Sequence, residues 1–182
     1  MAVMKPVFLI GYMGCGKTTL GEVLARQLNV PFIDLDDYIE RLHGASIMEI
    51  FATCGERRFR EMETSALRAV SAMPGIIVGC GGGTPCHSGN MDIMNEAGIT
   101  VWLTTSPERL TARLLLPEQK GKRPKVKDID DADFLPLVER ELALRTPYYS
   151  QAQFQFDSTD IETAEATERT ARRLAALLSG CQ

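Results

Sequence analysis

Histidine and tryptophan are nearly missing: the 182 residues hold two histidines, His43 and His87, and one tryptophan. A zinc site wants several paired nitrogen or sulfur ligands, so a metal cage of that kind is not expected. The five cysteines, Cys15, Cys54, Cys80, Cys86 and Cys181, are odd in number and show no C-x-x-C spacing. They read as the reduced thiols of a cytoplasmic protein. Cys86 and His87 are neighbours in the chain, but adjacency alone does not make a nucleophile and its base. A basic surplus is also missing. Twenty Lys and Arg face 24 Asp and Glu, a net charge of −4, so no nucleic-acid partner is expected. No apolar run approaches the roughly 18 residues of a membrane helix, and no membrane association is expected. The opening "MAVMKPVFLI" lacks a small-residue cleavage site and reads as a strand rather than a secretory leader.

The chain has 45% hydrophobic residues, enough for one domain with a proper core, taken as 1–182. Short apolar runs alternate with helical patterns. Strands are expected at 7–10, 31–34, 75–80, 99–105 and 154–157. Helices are expected at 18–28, 36–43 (ending at Gly44), from Ser46, at 56–72, from Ser106-Pro107 and at 161–179. In 56–72, Phe59, Met62, Ala66 and Val70 share one stripe. Strands separated by helices predict βαβ units and a three-layer α/β/α fold around a parallel five-stranded sheet. The segment "PEQKGKRPKVKD" (117–128) differs: it carries five cations against two anions and no apolar period. It reads as a loop of the kind that forms lids.

Residues 11–18, "GYMGCGKT", follow the apolar "VFLI" and open a helical pattern. Gly11, Gly16, Lys17 and Thr18 match the phosphate-loop pattern G-x-x-x-x-G-K-[ST] in its strand–loop–helix context. Glycines let backbone N–H groups close around an anion. Lys17 would reach the β- and γ-phosphates, and the Thr18 hydroxyl would ligate Mg²⁺. A GTP-binding switch would add an N-K-x-D motif, and the chain has none. The length suits a small-molecule or nucleotide kinase. Asp34 and Asp36 stand two apart after the second strand. An extended chain would project both to one side, beside the carboxyl ends of the strands. One of them would also suit the N-terminus of the helix that follows, but two with Leu35 between them are less easily explained that way.

Further stretches, "FIDLDDYIE" (32–40), "IFATCGERRFRE" (50–61), "GCGGGT" (79–84) and "RTPYY" (145–149), follow in order. With the phosphate loop they give the chain a resemblance to the shikimate kinases from end to end. The resemblance implies ATP-dependent phosphorylation of the shikimate 3-hydroxyl, on the route to chorismate and the aromatic amino acids. It implies that Gly14, Cys15, Gly16, Lys17, Thr18 and Thr19 line the ATP phosphates and that Arg113 stacks on adenine. Arg123 would be the lid arginine on the phosphates, although "RPKV" departs from the family's Arg-Pro-Leu-Leu. Catalysis would fall to Lys17, Asp36 and Arg123, with Asp36 gripping the acceptor hydroxyls as base. Shikimate would be bound in the region 34–63 and beyond, by Asp36, Arg60, Glu63, Gly81, Gly82, Gly83 and Arg145. Glu63 lies three residues after Arg60, on the same helical face, and would hold that arginine. Arg57 and Arg58 read as solvated. The metal would be Mg²⁺, held by Thr18 and, through water, Asp34. The chain is expected to act as a cytoplasmic monomer on ATP and shikimate. Another small-molecule kinase, such as a gluconate kinase, and a non-catalytic nucleotide-binding module of the same shape stay open.

Overall fold

The computed structural model describes residues 5–116 and 130–180. In chain order these fold as β1 (Val7–Ile10), α1 (Lys17–Leu28), β2 (Phe32–Asp34), α2 (Leu35–His43), α3 (Ile47–Ser71) and β3 (Ile77–Gly79). There follow a 3₁₀ turn (Thr84–Cys86), α4 (Asn90–Ala97), β4 (Ile99–Thr104), α5 (Pro107–Leu114), α6 (Asp131–Tyr149), β5 (Phe154–Asp157) and α7 (Ala164–Ser179). The basic loop 117–128, with Arg123, lies outside the described residues, as does Cys181.

The strands form one parallel sheet of order β2-β3-β1-β4-β5. In β1, Val7, Phe8, Leu9 and Ile10 are all fully buried. Alternate strand side chains point to opposite faces, so both faces of the sheet are covered, as a parallel sheet requires. From α1, Leu20 and Leu24 join this core, and Ile77, Val78, Val101 and Leu103 come from the neighbouring strands. Each such side chain contributes about 1.5–3 kcal/mol on burial. Gly21 lets α1 lie close on the sheet, since a β-carbon there would stand 2.4 Å from the Phe32 ring.

Local chemistry sets the helix ends. The Asp34 side chain caps α2 by accepting from the Asp36 N–H, and Gly44 ends it in the left-handed region, φ 64°. Ser46 and Glu49 form a reciprocal capping box at the start of α3. Gly55, at φ 76° and ψ 170°, breaks α3 into two limbs. The two helices expected there, one from Ser46 and one over 56–72, are these two limbs, which meet at the non-helical Gly55. Two helices had no counterpart in the sequence reading, α4 and α6. In α6, Pro136 and Pro147 lie inside the helix, where proline normally argues for a break. Burial of Phe134, Val138 and Tyr149 holds it together regardless. Strand β3 is shorter than expected, but its ladder runs on: Val7 N–H donates to Ile76 O and Cys80 N–H to Leu9 O.

Candidate active site

The phosphate loop joins the carboxyl end of β1 to α1. Gly11, Gly14 and Gly16 have φ of 140°, 82° and 98°, conformations that other residues rarely adopt. Space adds a second requirement at Gly16, where a β-carbon would stand 2.2 Å from Ile161 Cδ1. Gly16 is also the N-cap of α1 and offers no side chain to the first turn, which holds no acid. The first N–H groups of α1 therefore have no capping partner from Gly16, and the helix dipole favours an anion there. Lys17 Nζ donates to Gly11 O at 2.8 Å and Tyr12 O at 3.0 Å. Its ammonium is thereby folded over the mouth of the loop, 3.8 Å from Cys15 Sγ. Thr18 Oγ1 donates to Asp34 Oδ2 at 3.0 Å. A hydroxyl and a carboxylate at that distance are hard oxygen donors of the kind Mg²⁺ takes alongside phosphate oxygens. Thr19 is exposed beside them.

Behind the loop, around Arg113, stand three residues the sequence reading missed: Ser158, Thr159 and Glu162. Ser158 is fully buried and donates to Cys15 O at 2.7 Å. Arg113 donates to Gly14 O at 3.1 Å, to Thr159 O at 2.8 Å and to Glu162 Oε1 at 2.9 Å. The expected nucleotide-side arginine is thus clamped between the phosphate loop and the segment after β5. The one available signal was that this segment leaves the carboxyl end of a parallel strand.

On the other side lies the turn Gly81–Gly82–Gly83, after β3. A β-carbon on Gly81 would stand 2.9 Å from Asp36 Oδ1. On Gly82 it would stand 3.5 Å from an Arg145 guanidinium nitrogen, and on Gly83 3.1 Å from Arg60 Nη2. Each glycine thus admits one functional side chain to the same bare backbone. The two half-sites meet at Gly82, where the same β-carbon would lie 3.5 Å from Gly11 O and 3.6 Å from Met13 N. Arg145 also lies 5.1 Å over the ring of Tyr12, a phosphate-loop residue. Glu141 pairs with Arg145 from one turn earlier on α6. Tyr149 donates to Gly82 O at 2.6 Å. Arg60 donates to Glu63 Oε2 at 2.9 Å, and Glu63 is 1% exposed. Arg57 and Arg58 instead pair with Glu61 on the exposed surface.

Asp34 and Asp36 need a correction. They do not project together from an extended chain, because α2 begins at Leu35. Asp36 sits in the first helical turn and points to Gly81, while Asp34 caps that turn and turns to Thr18. Burial raises the Asp36 carboxyl to about 6, helped by the charges of Asp34 and Glu63 and opposed by Lys17. A carboxyl tuned this way can take a proton near neutrality. An open depression of about 660 Å³, lined by Glu22, Arg26, Asn29 and Phe32 among others, leads into the start of β2. Ligands in parallel sheets bind outside the opposite, carboxyl ends, where all the groups above lie.

The family described as "Shikimate kinase" matches residues 13–175. The chain belongs to the shikimate kinase family. A shikimate kinase from Bacteroides thetaiotaomicron is 41% identical over 175 residues, covering 96% of this chain and 99% of that protein. A 1.7 Å crystal structure of shikimate kinase from that organism has a TM-score of 0.92 at 41% identity, covering 97% of this chain and 99% of the other. A shikimate kinase from Acinetobacter baumannii, in complex with shikimate, has a TM-score of 0.82 at 30% identity and covers 100% of this chain and 96% of that one. The three-layer fold with a parallel five-stranded sheet, expected from alternating strands and helices, is the observed one, and it is the fold of these shikimate kinases. Among the described residues no helix is long and apolar enough to cross a membrane.

Proposed function

We propose that this chain transfers the γ-phosphoryl group of ATP to the 3-hydroxyl of shikimate, giving shikimate 3-phosphate and ADP, in chorismate and aromatic amino acid biosynthesis. The observation that carries this reading is the meeting of two half-sites at Gly82. One is an anion-binding loop with a lysine. The other is a glycine turn bordered by one carboxyl and two guanidinium groups. A hydroxylated carboxylic acid matches the second set, because a guanidinium fork suits a planar carboxylate.

In the reaction the acceptor oxygen forms a bond to the γ-phosphorus, and the bond from that phosphorus to the β,γ-bridging oxygen breaks. The hydroxyl proton passes to Asp36. Lys17 leaves the Gly11 and Tyr12 carbonyls and follows the phosphate charge. Arg60 and Arg145 hold the acid end and so aim the hydroxyl. Gly14, Cys15, Gly16, Thr18 and Thr19 present backbone N–H groups and hydroxyls to the phosphates, and Arg113 stands beside the base. By family resemblance Arg123 adds a second cation to the phosphates. Thr18 and Asp34 would hold Mg²⁺, which when bound neutralises phosphate charge. Positioning and electrostatics account for most of the acceleration in such transfers. Residues 1–182 act as one kinase domain, monomeric and cytoplasmic. The deciding experiment follows ADP release from ATP and Mg²⁺ with shikimate, with gluconate and with no acceptor. Release that depends on shikimate is expected; equal release in all three would overturn the reading.

A further inference from the structure

Glu63 is a buried carboxylate, and a buried charge is tolerated only when its oxygens find partners. Its two oxygens are served by different groups. Oε2 accepts from Arg60 at 2.9 Å, and Oε1 accepts from Thr84 Oγ1 at 2.6 Å. Thr84 is fully buried, as is Asn90 at the start of α4. Asn90 Nδ2 donates to Thr84 O at 2.9 Å, and Asn90 Oδ1 accepts from Thr64 Oγ1 at 3.0 Å. Thr64 follows Glu63 on α3, so the chain of contacts closes on itself: α3 to Asn90, Asn90 to Thr84, Thr84 to Glu63. It ties the segment after the glycine turn to the helix that carries Arg60. Arg60 has few other fixed partners. Its Nε is buried without a hydrogen-bond partner among the described residues. Its second ion pair is with the exposed Glu56, at 3.2 Å.

We propose that Thr84 is a positioning residue for the acid-binding arginine: its hydroxyl fixes the Glu63 carboxylate, and Glu63 in turn aims Arg60 along the Gly83 backbone. This rests on the reading of Arg60 as a carboxylate ligand of shikimate. Without the hydroxyl, Glu63 Oε1 is left buried with no donor. The carboxylate then rotates toward another donor, and that change releases Arg60. The nucleotide half-site shares none of these contacts, so its affinity for ATP stays as it is.

The test compares Thr84→Val, Thr84→Ser and Thr84→Ala with the unmodified protein, each also in a Glu63→Gln background. Thr84→Ala removes the hydroxyl without adding bulk and serves where the valine does not fold. Loss of one buried hydrogen bond predicts a KM for shikimate raised roughly five- to tenfold in Thr84→Val and Thr84→Ala. The KM for ATP and kcat should stay within about twofold, and Thr84→Ser should restore the unmodified value. In the Glu63→Gln background the valine should add little, because Arg60 has already lost its buried anionic partner. A KM for shikimate that does not move overturns the role. So does a rise shared by both substrates, or an effect just as large in the Glu63→Gln background. An unmodified protein that does not turn over shikimate overturns the activity reading itself, and with it the substrate named here.

Discussion

The two halves of the site are built on opposite plans. The nucleotide half is mostly backbone: eight consecutive residues whose glycines bend N–H groups inward, with one lysine added. The acid half is mostly side chain. Asp36 comes from α2, Arg60 from α3 and Arg145 from α6, and they converge because three glycines leave room for them. A backbone site is encoded locally and tolerates change around it. A side-chain site depends on three helices being docked correctly, and any one of them can spoil it. The two halves should therefore fail differently, in turnover on one side and in acid affinity on the other.

The largest effect should come from Asp36, which belongs to both halves because the proposed reaction puts it at the acceptor hydroxyl. Asp36→Asn keeps the shape and removes the base, and general-base catalysis is worth roughly 10²–10⁴-fold. Steady-state kinetics should show kcat falling by that order with the KM for ATP little changed. The unmodified enzyme should lose kcat/KM as pH falls through about 6, where this carboxyl takes up its proton. A variant with near-normal turnover would remove Asp36 from the chemistry. Next comes Lys17→Met, which tests the nucleotide half. Loss of one charge-assisted contact to a transferring group costs about 3–4 kcal/mol, by analogy with an oxyanion-hole donor. The expected result is a fall in kcat with shikimate binding retained in calorimetry. Loss of both would mean that the two halves are not separable at Gly82.

How far the site was legible in the chain follows the same division. The phosphate loop could be read outright, since its pattern lies within eight residues and its geometry is set by local φ. The acid half could be read only through family resemblance, because nothing local says that Arg60 and Arg145 face one turn. The reading of Asp34 and Asp36 as a matched pair failed for a physical reason: α2 starts at Leu35, and a helix sends side chains two apart to different sides. Helix α6 was hidden by Pro136 and Pro147, since local propensity lost to burial of Phe134, Val138 and Tyr149. For Ser158 the only signal was its place just after the carboxyl end of a strand, and its contact could not be read. Its partner Cys15 is 143 residues away, and that contact exists only once the sheet has formed.

Arg60→Ala and Arg145→Ala break mainly the acid half. A carboxylate left with one guanidinium loses about 1.5–3 kcal/mol, a roughly ten- to hundredfold rise in the KM for shikimate. The KM for ATP should move far less, although Arg145 rests on Tyr12 and so should disturb ATP more than Arg60 does. Equal damage to both constants by Arg60→Ala would contradict a carboxylate-specific half-site. A stability effect of similar or smaller size follows from Asp36. Its folded value near 6 lies above the ordinary 3.8, so ionising it works against the fold. Asp36 therefore contributes stability below about pH 4 that is lost as pH rises through about 6 and is not regained above. Asp36→Asn should then be the more stable form above pH 6, by about 1–3 kcal/mol, with the gap closing below pH 4. Thermal melts of both forms across that range give the answer, and a variant less stable at every pH would refute the sign.

The smallest effect is expected two residues before Arg60. Arg58 donates to Glu61 at 2.7 Å, a shorter ion pair than that of Arg60 with Glu63 at 2.9 Å. Distance alone would rank Arg58 as the more important arginine. Burial reverses the ranking. The Arg58 and Glu61 side chains are 59% and 50% exposed, whereas the Glu63 side chain is 2% exposed. In water the attraction is screened, and holding two long side chains together costs entropy, so such surface pairs are worth about 0–1 kcal/mol. Arg58 also lies on a different face of α3 from Arg60 and touches none of the glycines of the turn. Arg58→Ala should therefore leave both Michaelis constants unchanged and shift stability by no more than about 0.5 kcal/mol. Chemical denaturation and steady-state kinetics on Arg58→Ala beside Arg60→Ala make the comparison within one helix. A rise in the KM for shikimate in Arg58→Ala comparable to that in Arg60→Ala would mean that general positive charge on α3, and not a guanidinium aimed at Gly83, draws the acid in.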